Sequence, residues 1–142
     1  MNLFTNELFI ILLLALLISH VIKLIINFLK FKTFYALDLV STGGMPSGHS
    51  SLMAALSTGI LLQEGAATSF FIAVSLSLIV FMDAMSVRRT AGEEGTILHE
   101  ILKRTHIKIK EPHYALGHTP LQVFVGILIG ILIAVVVHVL RL

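Results

Sequence analysis

Residues 8–28 read LFIILLLALLISHVIKLIINF, a run of 21 residues in which all but four are apolar. A helix of about 20 such residues is long enough to cross the hydrocarbon core of a bilayer. Glu7 precedes the run, no Lys or Arg does, and no small-x-small cleavage site follows it. A cleaved signal peptide has the opposite features, so we interpret the run as a retained transmembrane helix.

The composition extends this interpretation to the whole chain. Of its 142 residues, 56% are hydrophobic and 13% are charged, whereas roughly a quarter of the residues in a soluble domain are charged. The length predicts a single membrane-embedded domain, residues 1–142. The chain contains no cysteine, which excludes disulfides, thiolate zinc sites and cysteine nucleophiles.

Three more apolar runs follow, at residues 49–62, 66–85 and 121–140. The first of them has only 14 residues, which is short for a full span. Because lipid tolerates only helices or closed barrels, we predict an all-α integral membrane fold, a bundle of about four transmembrane helices. In the polar stretch 86–114, the pattern favours a surface helix at 96–104 and an extended segment or loop at 107–110.

Four spans place the loops 29–48 and 86–117 on one side of the membrane and both chain ends on the other. Nine of the ten Lys and Arg residues lie on or near the loop side: Lys23, Lys30, Lys32, Arg88, Arg89, Lys103, Arg104, Lys108 and Lys110. Only Arg141 lies on the side of the chain ends. The positive-inside rule therefore predicts that both loops, and a site formed at that mouth of the bundle, face the cytoplasm across the cell (inner) membrane.

The start of the second run carries the sequence GGMPSGHSS at residues 43–51. Ser47 is placed to cap a helix, and Gly48 lets a bound group approach the backbone closely. A helix start is a ready anion site, and the His49 imidazole beside it can donate a proton to a leaving oxygen. The alternative is an ordinary capped helix with a surface histidine.

The start of the last run carries GHTP at residues 117–120. His118 is the candidate nucleophile, and Gln122, four residues later, lies on the same side and can hold its tautomer. Farther along the run, Gly126 and Gly130 form a small-xxx-small face, which favours close helix packing.

Charged side chains accompany these helix starts. Lys23 shares the polar stripe of the first helix with His20, and it either binds an anion inside the bundle or snorkels to the interface. Arg88 and Arg89 can fork onto phosphate oxygens or simply anchor the chain at the interface. Asp83 lies in the apolar end of the third run, where we expect it to pair with a basic side chain or to orient a histidine.

The other histidines carry a weaker signal. Three lie in the polar stretch near glutamates, namely His99, His106 and His113, but without the spacing of a zinc-protease helix. We expect these three to be solvated, and we predict neither a metal site nor a cofactor. His138, near the far end of the last run, is expected to be interfacial.

Together these motifs resemble the type-2 phosphatidic acid phosphatase and vanadium haloperoxidase superfamily in two segments, Pro46-Ser47-Gly48-His49 and Gly117-His118-x-Pro-x-x-Val-x-x-Gly-x-x-x-Gly. Gly43-Gly44-Met45 precedes the first segment, and Asp83-Ala84-x-x-Val87-Arg88-Arg89 lies between the two. With these additions the chain looks most like the small, divergent membrane branch of that superfamily. The resemblance covers roughly residues 20–130.

The resemblance implies a metal-independent membrane phosphatase that hydrolyses a phosphomonoester or diphosphate of a lipid. His118 would form a phosphohistidine, and His49 would protonate the leaving group and then activate water. Backbone amides around Ser47 and Gly48, together with lysine and arginine side chains, would hold the phosphate.

The chain departs from the main family in three places. The Ser-Arg pair of the family, seven and six residues before its nucleophile, is Glu111-Pro112 here. The Asp four residues after the nucleophile is Gln122, and no Lys-x6-Arg-Pro motif precedes the first segment.

These departures suggest replacements elsewhere in the chain. We infer that Arg88 and Arg89 take the place of the missing arginines and that Lys23 takes the place of the lysine. Either Asp83 or Gln122 would then orient the nucleophile.

Cytoplasmic sidedness favours a phospholipid intermediate of the inner leaflet as substrate, phosphatidylglycerol phosphate or phosphatidate, over a polyprenyl diphosphate on the outer face. The expected partners are this lipid and the bilayer, not nucleic acid. A neutral amide at position 122 cannot stabilise an imidazolium as a carboxylate does. The alternative function is therefore a catalytically weak lipid-phosphate-binding or scaffolding membrane protein; a haloperoxidase is not expected in so small and apolar a chain.

Overall fold

The computed structural model describes residues 6–32, 44–105 and 117–140, and the regular structure in these ranges is entirely α-helical. The helices are α1 (Glu7–Phe31), α2 (Gly48–Glu64), α3 (Thr68–Met85), α4 (Val87–Arg104) and α5 (Pro120–Leu140). The predicted all-α integral membrane fold is confirmed. Its bundle consists of α1, α2, α3 and α5, and α4 is an additional helix.

Three helical segments of the described chain are long and apolar enough to cross a membrane: Glu7–Lys30, Thr68–Arg104 and Pro120–Leu140. α2 has 17 residues, and the sequence predicted that it would be the short one. It nevertheless lies at the centre of the bundle, with its most extensive contacts to α5 and further contacts to α3 and α1. The fold is therefore organised around its shortest bundle helix.

The contact between α2 and α5 is a contact between backbones. A Cβ atom added to Gly126 would overlap the carbonyl oxygen of Ser47, and one added to Gly130 would overlap that of Ser51. The small-xxx-small face predicted from the sequence is confirmed, and its partner is α2. Because lipid tails give membrane helices no hydrophobic reason to associate, such close packing is a principal source of their cohesion.

Small residues form the buried face of α2, and their hydroxyls are hydrogen-bonded. Ser50 Oγ donates to Ser47 Oγ at 2.8 Å, and the hydroxyls of Ser57 and Ser77 lie 2.8 Å apart. Polar groups inside a membrane protein need such partners because lipid supplies none. The larger apolar core side chains lie where α1 meets α5, with Ile11, Ile133 and Val137 packed around Ala55 of α2.

The surface helix predicted at 96–104 begins nine residues earlier, at Val87, and only Ser86 separates it from α3. The segment before residue 96 is rich in charge and contains two glycines, so no apolar run marks it as helical. Its arginines and glutamates are nonetheless good helix formers, and the amphipathic pattern extends through them. His99 is half-buried on this helix instead of solvated in a loop.

The remaining expectations concern His138 and the polar stretch after α4. His138, expected at the interface, is half-buried with its Nδ1 2.7 Å from Glu7 Oε1, which joins the end of α5 to the start of α1. The extended segment expected at 107–110, His106 and His113 lie outside the described residues.

Candidate functional site

The start of α2 is capped as the sequence predicted. Ser47 has an extended backbone, is fully buried and accepts a hydrogen bond through Oγ from the Ser50 N–H at 3.4 Å. Its own N–H donates to the carbonyl of Gln122 at 3.1 Å. The Ser47 amide is therefore occupied by α5 and cannot hold a phosphate, contrary to the expectation from the family pattern.

The N–H groups of the next two residues remain available at this helix start. Neither Gly48 nor His49 uses its N–H in a hydrogen bond with any other residue of the described chain. Free N–H groups at a helix N-terminus, with the positive end of the helix dipole, form an anion site. Among the described residues, the backbone groups that this candidate site offers to an anion are therefore the N–H groups of residues 48 and 49.

The start of α5 is a capping box. The Thr119 N–H donates to Gln122 Oε1 at 2.9 Å, and the Gln122 N–H donates to Thr119 Oγ1 at 3.3 Å. Pro120, the first helical residue, has no N–H and a φ angle suited to that position. This reciprocal arrangement fixes the backbone and the Gln122 side chain beside the histidine that precedes the cap.

The same glutamine determines the tautomer of His118. Gln122 Oε1 lies 3.4 Å from His118 Nδ1, and its identity as oxygen is fixed because the Thr119 N–H can only donate to an acceptor. This contact favours the neutral tautomer with the proton on Nδ1. The lone pair is on Nε2, the nitrogen available to attack phosphorus.

Two further contacts bring the end of α3 and the start of α4 against His118. The His118 N–H donates to the Ala84 carbonyl at 2.9 Å. A Cβ atom on Gly117 would overlap the backbone of Arg88 and Arg89, so only glycine lets the chain pass there. The motifs that the sequence placed at four separate helix ends meet at one mouth of the bundle.

α1 contributes two cations or potential cations to this mouth. Lys23 is 8% exposed, and its Cε lies 3.3 Å from the position that a Cβ on Gly44 would occupy. Its charge acts on both His49 and His118. Lys23 therefore lies inside the bundle, and the snorkelling alternative does not hold.

His20 also belongs to this mouth, although the sequence placed it only on the polar stripe. Its Nδ1 donates to the Leu16 carbonyl at 2.8 Å, and its Cε1 lies 3.4 Å from the position of a Cβ on Gly48. The i to i+3 spacing of His20 and Lys23 on one helix face was the signal that could have identified it.

The two neighbouring arginines have different surroundings. Arg88 Nε lies 2.5 Å from Asp83 Oδ2, and the charge of Arg88 acts on the His49 ring. Arg89 Nε instead binds Glu93 Oε1 at 3.0 Å on the exposed surface of α4. Of the two roles expected for Asp83, the structure shows the ion pair with a basic side chain.

Burial lowers the pKa of His118 below its ordinary value. The hydrogen bond with Gln122 opposes this shift, the positive charge of Lys23 adds to it, and a backbone hydrogen bond with Gly44 again opposes it. Desolvation disfavours the charged imidazolium, so the ring is held neutral near pH 7, the form in which a histidine is a nucleophile.

The described residues contain no cluster of three or more His, Asp or Glu side chains that could hold a metal ion. The groups gathered at the mouth are instead imidazoles, a lysine, an arginine and helix N–H groups. Such a set matches the charge and the hydrogen-bonding needs of a phosphate.

Fold and site together define a helical membrane protein with three histidines, His20, His49 and His118, at one mouth of its bundle. The chain matches the divergent PAP2 family over residues 4–133. It is also 36% identical, over 155 aligned positions covering 96% of each chain, to the uncharacterized membrane protein YuiD of Bacillus subtilis strain 168. No solved structure matches it significantly. The chain belongs to the divergent PAP2 family, which confirms the resemblance seen in its motifs.

Proposed function

We propose that the protein is a metal-independent lipid-phosphate phosphatase that works through a phosphohistidine on His118. The observation that carries this proposal is the state of that ring. It is buried, its pKa is lowered, and Gln122 accepts from Nδ1, which puts the lone pair on Nε2. Membership in the PAP2-like family supports the same reaction class.

Phosphate binding uses the groups at the mouth. The N–H groups of Gly48 and His49 donate to phosphate oxygens at the positive end of the α2 dipole. Lys23 and Arg88 supply the charge that neutralises a phosphate dianion, and Asp83 keeps the Arg88 guanidinium in place.

The reaction then has two displacement steps. In the first, His118 Nε2 attacks phosphorus, the bond from phosphorus to the lipid oxygen breaks, and His49 gives that oxygen a proton. In the second, water attacks the phosphohistidine while His49 takes a proton from it. The phosphorus–nitrogen bond breaks, inorganic phosphate leaves, and both histidines return to their starting states.

The substrate we propose is a phospholipid phosphomonoester of the cytoplasmic leaflet, phosphatidylglycerol phosphate or phosphatidate. The excess of Lys and Arg on the side of the mouth supports a cytoplasmic site. A lipid phosphate made on that leaflet could reach such a site by lateral diffusion, without crossing the bilayer.

Phosphate release in proteoliposomes tests this function. The purified protein should release phosphate from one of the two lipids, and His118→Ala should abolish both the release and an acid-labile phosphoenzyme. His99→Ala, on α4, serves as the matched control and should retain activity. Release that persists in His118→Ala would show that the phosphohistidine mechanism is wrong.

One observation favours a second candidate, a lipid-phosphate-binding or scaffolding protein. The partner of His118 is the neutral amide of Gln122, which cannot balance an imidazolium. In that case the wild-type protein would bind vanadate, a phosphate mimic, but would neither release phosphate nor form a phosphoenzyme.

A further inference from the structure

A groove of about 170 Å³ opens on the side of the bundle between α2, α3 and α5. Its walls include Thr58 from α2, Val74, Leu78 and Phe81 from α3, and Ile127 and Ile131 from α5. These helices are membrane-embedded, so the groove lies at the depth of the lipid chains.

The surface that the groove exposes is almost entirely apolar, although Thr58 and two serines line it. The hydroxyls of Ser57 and Ser77 lie 2.8 Å apart. The Met53 carbonyl lies 3.1 Å from Ser57 Oγ and the Ala73 carbonyl 2.8 Å from Ser77 Oγ, so both hydroxyl protons have acceptors inside the bundle. No unpaired polar group from these serines is left to hold water, which needs polar partners in a cavity. A hydrocarbon chain is the ligand that such walls favour.

The groove begins close beneath the phosphate site. Phe81 comes two residues before Asp83, and Ile127 comes five residues after Gln122. At 1.5 Å of rise per residue, these walls start about 3–8 Å below the site along the helix axes. From Phe81 the groove continues along α3 to Val74, about 10 Å farther from the mouth.

We propose that this groove binds one acyl chain of the lipid whose phosphate occupies the site. The proposal rests on the proposed function, because it links the groove to a headgroup held by His118. The volume suits a segment of one chain, not two chains side by side. A substrate lipid would therefore be bound through its phosphate and through one acyl chain, whereas a bulk lipid touches only the helix surface.

Tryptophan fluorescence offers a direct test, because the chain contains no tryptophan. Leu78→Trp places a reporter in the groove, and Ile79→Trp places the matched control beside it. The two native side chains are 56% and 63% exposed, so neither change fills a packed core. Ile131→Trp and Leu132→Trp repeat the pair on α5, where only the first residue lines the groove.

The probe is phosphatidate brominated in the middle of its acyl chains, at a few mole per cent in phosphatidylcholine vesicles. We expect saturable quenching at positions 78 and 131, at least twofold stronger than at 79 and 132. Vanadate, which competes for the phosphate site, should relieve the excess quenching. Brominated phosphatidylcholine should quench all four variants alike.

Equal quenching within both pairs, or excess quenching that vanadate leaves unchanged, would overturn the proposal. Equal quenching within both pairs would also be expected if a second copy of the chain covered the groove. Phosphate release by the wild-type protein is measured in parallel. Selective quenching without phosphate release would support acyl-chain binding in the groove and contradict the phosphatase function. Phosphate release with equal quenching would support the phosphatase function and contradict acyl-chain binding in the groove.

Discussion

His118 shows how much a single side chain can depend on its neighbour. Gln122 completes the cap of α5 and, with the same oxygen, holds the proton of His118 on Nδ1. It fixes the tautomer, but it contributes no charge as an imidazolium forms. A carboxylate at this position could hold the tautomer and balance the charge of the imidazolium. Gln122 does only the first.

Gln122→Glu should restore the missing charge. Glutamate has the same length and is itself a capping-box residue, so the cap should persist. We expect phosphoenzyme formation to rise about tenfold, which corresponds to about one pKa unit of added stabilisation of the imidazolium. Rapid-quench measurement checks this, with Gln63→Glu as the control at the far end of α2. A slower variant with an unchanged fold would contradict the argument that the imidazolium lacks a balancing charge.

The pH profile should report the lowered pKa of His118. Because the nucleophile must be neutral, activity should fall as the pH drops through that lowered pKa, below the ordinary value of about 6.5. At pH 7 and above this group should not limit the rate. The dependence of kcat/KM on pH measures the acidic limb, and Gln122→Glu should shift it to higher pH. An acidic midpoint above 6.5 in the wild-type protein would contradict the effect of burial.

Arg88 and Arg89 should behave differently although they are adjacent. Removing a charge-assisted hydrogen bond costs about 1.5–3 kcal/mol, so Arg88→Ala should weaken vanadate inhibition by about 10- to 150-fold. Arg89→Ala removes a contact with Glu93 on the exposed surface and should change it less than about twofold. Equal losses would mean that Arg89 also reaches the phosphate.

At the scale of elements, α2 and α5 are held by backbone contact, and this makes their interface intolerant of added atoms. Gly130→Ala would place a methyl group on the Ser51 carbonyl. We expect a loss of about 1–3 kcal/mol, typical of overpacking, seen as a lower Tm in detergent. Val135→Leu on the lipid-facing surface should leave the Tm nearly unchanged. An unshifted Tm for Gly130→Ala would mean that the helices can separate freely.

The sequence predicted α1, α3 and α5 well because a bilayer imposes a long apolar run on each helix that spans it. The runs at 66–85 and 121–140 match α3 and α5 within two residues at each end. The start of α4 was missed, since an amphipathic segment rich in charge has no such run. The links from Ser47 to Gln122 and from His118 to Ala84 join backbone atoms, which leave no residue-type signal.

At the scale of the whole molecule, the two ends of the bundle are chemically different. One end gathers the imidazoles, Lys23 and Arg88 of the candidate site, and the other holds the contact between His138 and Glu7. Single cysteines can be introduced directly, because the chain has none. We expect an impermeant maleimide to label Gln63→Cys in intact cells but Lys103→Cys only after permeabilisation. The reverse pattern would place the site on the outer face.

We expect α2 to be too short and too polar to enter a membrane unaided. Four of its 17 residues are serine or threonine, and hydroxyl-rich segments partition weakly from the translocon into lipid. The short Gly65–Ala67 connection ties it to α3, so the two should leave the translocon together as a helical hairpin. A glycosylation-tag assay should find α2 alone translocated and the α2–α3 pair integrated. The small polar residues that let α2 pack closely against α5 would then also determine that α2 enters the membrane only together with α3.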